Sequence, residues 1–250
     1  ILTEGKMWMR NTRVMNDISE GKYSIELLNR YLKDNTPKFT KIQKKYELEQ
    51  YGIEDVLDEI SKKISKDTYI TCFSEYCEKK ERIGRLSMWS IYGKKEGAAG
   101  VVLNANKMNF SSPDENLTLL SIRYLNQSDF NKRIDKIFEV LINQDVTTID
   151  KNIAYEKMVH AFIYLILSTK HPSFKEEREW RLVYNPLFSN PEYVEEDVEV
   201  VNDVLQPVIK IKINELPNEA TLDELIRYVI IGPSNYSEII KLGITTLLKN

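Results

Sequence analysis

Residues 150–167 constrain the fold more than any other part of this sequence, because apolar side chains occupy most of their helical circumference. A helix of this kind must be surrounded by other elements or by lipid. The longest apolar run, residues 161–167, is interrupted by Tyr164 and is far shorter than the ~18 residues that a membrane helix needs. We therefore predict a central buried helix, with no membrane segment and no signal peptide.

Strands and helices are predicted to interleave irregularly around this helix. A second long helix is expected at about residues 129–142, so a helical segment runs from about residue 125 to 170. Short apolar segments at residues 68–73 and 179–184 are typical of strands. No regular βαβ repeat is visible, which favours an α+β fold, and 250 residues lie within the range of a single domain.

Composition narrows the classes of function. The net charge of −3 lacks the large basic excess of a general nucleic-acid binder. Two cysteines, Cys72 and Cys77, and two histidines cannot easily form a disulfide framework or a zinc site, so we expect reduced thiols, a cytoplasmic location and no metal. The lysine-rich residues 38–45 are interpreted as a solvated face or mobile loop, with a patch facing RNA or phosphate as the alternative.

Five separated motifs resemble one bacterial family, the domain of unknown function 2971. They are MNDISEG at residues 15–21, TCFSE at 71–75, MWSIYG at 88–93, GVVL at 100–103 and FKEEREWRLV at 174–183. Their order and spacing carry the resemblance, which extends from the first residues to about residue 233. The family name implies no activity, so the resemblance indicates kinship and leaves the chemistry open.

A fainter resemblance is to ADP-ribosyltransferases. Residues 1–5 followed by 7–9 look like the helix and second strand that open such domains, and Glu177 and Glu179 look like their late glutamate pair. This resemblance implies a split mixed sheet, NAD as a substrate, and a first strand bearing His or Arg that would precede Ile1.

The two glutamates are the candidate catalytic residues. Residues two apart on a strand point to the same face, so Glu177 and Glu179 are predicted to share a cleft. Glu179 would stabilise an oxocarbenium-like transition state, and Glu177 would orient or deprotonate the acceptor. Glu179 is followed by the apolar residues Trp180, Leu182 and Val183 and is expected to be the more deeply embedded. The alternative is a solvated edge strand, with Arg178 and Arg181 as partners in surface ion pairs.

Three further residues are candidates for binding NAD: Ser74, Tyr92 and Asn16. Ser74 follows a predicted strand, and buried hydroxyls at such positions are often structural. Tyr92 shares a helical face with Trp89, a pair that is typical of a core as well as of a ring-binding platform. Asn16 precedes Asp17, which is a suitable N-cap for the next helix and leaves the Asn16 amide available to a ligand.

The leading functional hypothesis is an NAD-dependent ADP-ribosyltransferase, in the role of a bacterial toxin or antiphage effector, with a protein or nucleic acid as acceptor. The alternative is a non-catalytic binding or sensor module that works with partner proteins in a bacterial defence system. A metal-dependent nuclease is disfavoured because no tight group of Asp, Glu and His has ligand spacing.

Overall fold

A computed structural model of the chain describes residues 2, 4–14, 18–93, 97–108, 116–143, 150–185, 191–201, 203–216 and 221–248, with the backbone alone at 18–20. Its strands are β1 (Lys6–Asn11), β2 (Tyr69–Ser74), β3 (Ala99–Leu103), β4 (Leu117–Ser121), β5 (Arg123–Tyr124), β6 (Thr169–Lys170), β7 (Glu179–Tyr184), β8 (Val194–Val201), β9 (Val204–Lys212) and β10 (Ile226–Ile231). Its helices are α1 (Ile18–Asp34), α2 (Thr36–Lys45), α3 (Ile53–Asp67), α4 (Leu86–Tyr92), α5 (Gln127–Asn143), α6 (Lys151–Leu167), α7 (Leu222–Leu225) and α8 (Ser237–Leu247).

The main sheet has six strands in the order β4-β7-β2-β1-β9-β8, and every neighbouring pair is antiparallel. Two smaller sheets accompany it, an antiparallel pair β3–β10 and a short parallel pair β5–β6. The α+β class is confirmed. The split mixed sheet that the transferase resemblance implies is not confirmed, because within the described residues parallel pairing is confined to β5–β6, outside the main sheet. Helices α1 to α3 return the chain to the end of β1, where Asn11 faces Tyr69, and β2 therefore runs back alongside β1.

Two apolar cores lie on opposite faces of this sheet. On one face, helices α1, α2, α3, α5 and α6 bury a large cluster that includes Ile70 and Val183 from the sheet. The other face carries Met7, Met9 and Leu182. Because side chains alternate along a strand, Trp8 and Arg10 of β1 lie on the helix-covered face. The site described below occupies that face.

Helix α6 is the buried centre of the helical layer, as its all-round apolar pattern predicts. Ten of its side chains are buried, from Ala154 to Leu167. Its neighbour α5 also forms close to the predicted bounds and buries Phe130, Ile134 and Phe138. Within the described residues, no helix combines the length and the apolar character needed to cross a bilayer.

The lysine-rich segment is helix α2, not a mobile loop. Phe39 and Ile42 are buried against the helical core, which fixes the backbone. Lys38 forms an ion pair with Asp135 at 2.6 Å, and Lys45 donates a hydrogen bond to the carbonyl oxygen of Ile142 at 2.6 Å. The segment is therefore the solvated face of a packed helix, which is one of the two structural alternatives that the sequence left open.

Candidate functional site

Glu179 begins β7 and is buried, with 6% of its side chain exposed. Its Oε1 accepts a hydrogen bond from Arg181 Nε at 2.6 Å, and its Oε2 lies 3.0 Å from Lys170 Nζ. Arg181 follows two residues later on the same strand, so both side chains point to one face. The Cys72 thiol of the neighbouring strand also donates to this carboxylate. A buried carboxylate thus has two cations and a thiol as partners.

These partners decide the protonation state of Glu179. Burial alone would raise its pKa, because a low-dielectric environment disfavours the charged carboxylate. The charge and hydrogen bond of Arg181, the Cys72 thiol and the charge of Lys170 more than offset burial, so the pKa of Glu179 lies below its ordinary value. The carboxylate is therefore ionised at neutral pH.

Glu177 reaches the same place by a different route from the predicted one. It is the last residue of a 3-10 turn, Pro172–Glu177, and Arg178 then adopts a left-handed conformation with φ of 44°. The prediction that both glutamates share one face of a strand is wrong, because the extended backbone begins only at Glu179. The carboxylates nevertheless converge, since Glu177 Oε2 lies 2.5 Å from Lys170 Nζ. Glu179 is the more buried of the two, as predicted, at 6% against 13% exposed.

Lys170 joins the two carboxylates, and no motif in the sequence points to it. Its side chain is 3% exposed, and its ammonium lies over the ring of Phe174 at 4.7 Å. The residue occupies β6, whose parallel pairing with β5 brings Tyr124 alongside. The Tyr124 hydroxyl accepts a hydrogen bond from the backbone N–H of Glu179 at 2.8 Å. A lysine at the end of an apolar helix carries no local signal for this role.

Two cavities meet at Glu179. The smaller, of about 310 Å³, has mainly apolar walls that include Phe73, Met88, Trp89, Val101 and Ile230. The larger, of about 600 Å³, also has mainly apolar walls, and it adds cationic and hydroxyl side chains that include Arg10, Thr12, Arg13, Lys22 and Ser65. Cys72, Tyr92 and Glu179 line both. The ionised carboxylate therefore lies between two mainly apolar cavities, of which the larger also carries cations.

Ser74 lies in the smaller cavity at the end of β2, with its hydroxyl already engaged. Ser74 Oγ donates to the carbonyl oxygen of Glu177 at 2.6 Å and accepts a hydrogen bond from Arg85. Arg85 also donates to the carbonyl oxygens of Glu75 and Glu176. Ser74 therefore helps to hold the turn that carries Glu177. Arg85, just before α4, was not identified from the sequence.

Tyr92 is exposed at the junction, whereas Trp89 belongs to the packing. Desolvation and the charge of Glu177 raise the pKa of Tyr92 to about 12, so its hydroxyl remains a hydrogen-bond donor. The Trp89 indole N–H donates to the carbonyl oxygen of Ile83 at 2.7 Å. A Cβ at Gly84 or Gly232 would lie 2.9 Å from the Trp89 ring, so these glycines provide the space for it. Both residues of the helical pair line the smaller cavity, and Trp89 is in addition fixed by its packing against the two glycines.

Asn16, the third predicted binding residue, lies outside the described residues. Arg10 of β1 lines the larger cavity. Within the residues that the structure describes, no group of three His, Cys, Asp or Glu side chains is arranged to hold a metal ion.

The fold and the site together define an α+β protein with an antiparallel six-stranded sheet and a buried carboxylate–cation cluster between two cavities. A family model described as "Protein of unknown function (DUF2971)" matches residues 88–182, which supports the first resemblance over that range. The match contains Tyr92, Glu177 and Glu179, while the motifs at residues 15–21 and 71–75 lie outside it. Searches of curated proteins and of solved structures found no match.

Proposed function

We propose that this protein transfers ADP-ribose from NAD to an acceptor. The observation that supports this proposal is the position of Glu179, an ionised and buried carboxylate at the junction of two mainly apolar cavities, of which the larger also carries cations. NAD matches this arrangement, because the scissile bond joins an aromatic nicotinamide, which suits the smaller cavity, to a ribose linked to an anionic diphosphate, which suits the cations of the larger cavity. A role as a bacterial toxin or antiphage effector belongs to the same proposal, whereas partner proteins in a defence system belong to the second candidate below.

The cavities fit the two halves of the dinucleotide. Ligand sites typically enclose about 300–1,000 Å³ and combine apolar walls with a few polar groups. The smaller cavity offers Phe73 and Tyr92 to the nicotinamide ring, with Val101 beside them. The larger cavity offers cationic side chains to the diphosphate. In this orientation the bond between the nicotinamide nitrogen and ribose C1′ lies beside Glu179.

The proposed reaction breaks that bond. Nicotinamide leaves with the electron pair, and ribose C1′ acquires oxocarbenium character. The Glu179 carboxylate stabilises the developing positive charge, and it does so without reorienting because Arg181 and Lys170 fix its position. A nucleophilic oxygen or nitrogen of the acceptor then bonds to C1′ and gives up its proton. Glu177, held by Lys170 at 2.5 Å, is the group in reach to orient the acceptor or to take that proton.

The test is the release of nicotinamide from NAD by the wild-type protein and by Glu179→Gln. Removing one preorganised electrostatic partner of a transition state typically lowers turnover by roughly 10²–10³-fold, and we expect a loss of that size. Glu176→Gln is the matched control, because Glu176 is an exposed neighbour with the same charge. A Glu179→Gln protein that releases nicotinamide as fast as the control would refute the catalytic assignment.

One observation favours the second candidate, a non-catalytic binding or sensor module. Both carboxylates of the site are already satisfied by Lys170 and Arg181, which a purely structural network would also require. Calorimetric titration with NAD separates the two functions. Heat of binding without nicotinamide release identifies a module that senses NAD, and binding accompanied by release identifies a transferase.

A further inference from the structure

One wall of the larger cavity takes no part in the chemistry proposed at Glu179. Strand β1 presents Trp8 and Arg10 to the cavity, and Thr12 follows at the same spacing. Arg13 extends this row, and Lys22 faces it from helix α1. The wall therefore combines one aromatic ring with three cations.

These three cations differ from the pair at Glu179. Arg10 donates to Gln206 Oε1 at 3.0 Å and to the carbonyl oxygen of Val14 at 2.9 Å, so neutral groups position it. Among the described side chains, the Arg13 guanidinium donates to the hydroxyl of Ser65, at 3.4 Å. Within the part of the chain whose side chains are described, Arg10, Arg13 and Lys22 form no ion pair with a carboxylate. The wall consequently carries positive charge that no described acidic group balances, and an anionic ligand satisfies it.

Trp8 supplies an aromatic surface beside these cations. Its side chain stays 37% exposed in the middle of the sheet, where a tryptophan is ordinarily covered. Lys210 from the neighbouring strand lies 4.8 Å from the ring centroid, and the carbonyl oxygen of Trp8 accepts a hydrogen bond from Thr71. The backbone of Trp8 is thus fixed, Lys210 lies over one face of the indole, and the residue still lines the cavity, so a base would stack on the other face. Exposed aromatic rings next to cations are the usual platform for a stacked base.

We infer that this wall is a binding site for a nucleoside diphosphate, with the base stacked on Trp8 and the phosphates held by Arg10, Arg13 and Lys22. A cavity of about 600 Å³ has the size of a small-molecule site and not of a groove that follows a nucleic-acid strand. In the reaction proposed above, this ligand is the ADP portion of NAD, so the inference rests on that proposal for its biological ligand. Because Trp8 and the three cations contact only the ADP portion, we also expect free ADP to bind.

The experiment is calorimetric titration with two probes, ADP and inorganic pyrophosphate. Stacking one base on an aromatic side chain strengthens binding by roughly 5- to 150-fold, so Trp8→Ala should weaken ADP binding by that factor and leave pyrophosphate binding unchanged. Trp8→Phe, which keeps an aromatic face, should retain most of the ADP affinity. Arg13→Gln and Lys22→Gln should weaken both probes by roughly tenfold, while the exposed controls Arg30→Gln and Lys44→Gln leave them unchanged.

Each outcome bears on one part of the account. Equal ADP affinity for Trp8→Ala and the wild type overturns the base position, and equal pyrophosphate affinity for Arg13→Gln and Lys22→Gln overturns the phosphate position. ADP binding by a protein that does not cleave NAD leaves the site standing and removes the transferase proposal. NAD cleavage with an unchanged KM in Trp8→Ala and Arg13→Gln leaves the reaction standing and removes this site.

Discussion

Replacing Lys170 with methionine tests the charge cluster on which the proposed site depends. The Lys170 ammonium is 2.5 Å from Glu177 and 3.0 Å from Glu179, and only 3% of the side chain is exposed. Methionine preserves most of the buried volume, including the contact region beside Phe174, and removes only the charge. Two carboxylates then share a site in which Arg181 is the cation closest to Glu179.

The expected magnitude follows from burial. Removing one partner of a buried ion pair costs about 3–5 kcal/mol, because the other charge is left without compensation. Glu179 keeps Arg181, and Glu177 is partly hydrated, so we expect the free energy of unfolding at pH 7 to fall by about 2–4 kcal/mol. For a chain of this length each kcal/mol corresponds to roughly 2–4 °C in Tm, and the melting temperature should drop by roughly 5–15 °C.

The stability difference between the wild type and Lys170→Met should depend on pH, in a direction that follows from the pKa of Glu179. The pKa of Glu179 is lower in the folded protein than in the unfolded chain, so its ion pairs stabilise the fold above the unfolded value of about 4.5. That stabilisation is lost as the pH falls through the lowered pKa of the folded state. The difference between the wild type and Lys170→Met should therefore be largest near pH 7 and should narrow as the pH falls below about 4.5.

Urea unfolding followed by circular dichroism at pH 7 and at pH 4 measures both quantities. Lys175→Met is the matched control, since Lys175 is exposed on the same 3-10 turn and should change stability by less than about 0.5 kcal/mol. A loss below about 1 kcal/mol for Lys170→Met would refute the reasoning. If the free energy of unfolding of Lys170→Met lies below that of the wild type by the same amount at both pH values, the lost stability is not electrostatic.

Two further predictions concern packing and the thiol. Gly232→Ala should lower the free energy of unfolding by about 1–3 kcal/mol, because the added Cβ would lie 2.9 Å from the Trp89 ring. The control is Gly243→Ala in helix α8, whose Cβ meets nothing within 4 Å and which should raise the free energy of unfolding by up to ~1 kcal/mol. Thermal melts of the two variants check the difference, and equal melting temperatures would contradict it. Cys72 is open to the two cavities, yet desolvation beside the packed cluster and the charge of Glu179 raise the pKa of its thiol. In a Cys77→Ser background, iodoacetamide at pH 8 should therefore modify Cys72 more than about tenfold slower than free cysteine, and faster once Glu179→Gln is added. Mass spectrometry over time gives both rates, and a rate that does not respond to Glu179→Gln would exclude the coupling between thiol and carboxylate.

Elements whose patterns are local were predicted well. The apolar circumference of residues 150–167 corresponds to α6 (Lys151–Leu167), and the apolar residues 179–184 correspond to β7 (Glu179–Tyr184). In both elements, the apolar side chains that form the sequence pattern are also the ones that pack into the core, so the pattern predicts the element and its burial together. The helical face shared by Trp89 and Tyr92 likewise corresponds to helix α4 (Leu86–Tyr92).

Elements that depend on distant partners were missed. The acidic residues between positions 192 and 203 indicate a solvated excursion from the sheet, yet β8 (Val194–Val201) is an edge strand of the main sheet. Its acidic residues are neutralised across the strand pair, because Lys210 reaches Asp197 at 2.6 Å and Glu199 at 2.5 Å. Charge alone therefore suggested a solvated segment, and only the tertiary pairing makes it a strand.

The candidate site shows the same division. Glu179 and Glu177 were identified from a motif, but their meeting point is Lys170, which comes from the β5–β6 pair. The prediction that Glu177 shares a strand face with Glu179 was also wrong, because Arg178 adopts a left-handed conformation that the residue type at that position does not indicate. Arg85 reaches the site from the start of α4 in a similar way. Residue identity suggested the acids, and their partners follow only from the fold.

The most direct test of the central claim separates NAD binding from NAD cleavage in one pair of proteins. Affinity for NAD is measured by calorimetry and nicotinamide release by chromatography, for the wild type and for Glu179→Gln. If the Glu179 carboxylate acts on the transition state, the variant should bind NAD with an affinity within about threefold of that of the wild type. Its rate of nicotinamide release should be lower by a factor of roughly 100 or more. Wild-type protein that binds NAD and releases no nicotinamide, or a variant with undiminished turnover, would contradict the account.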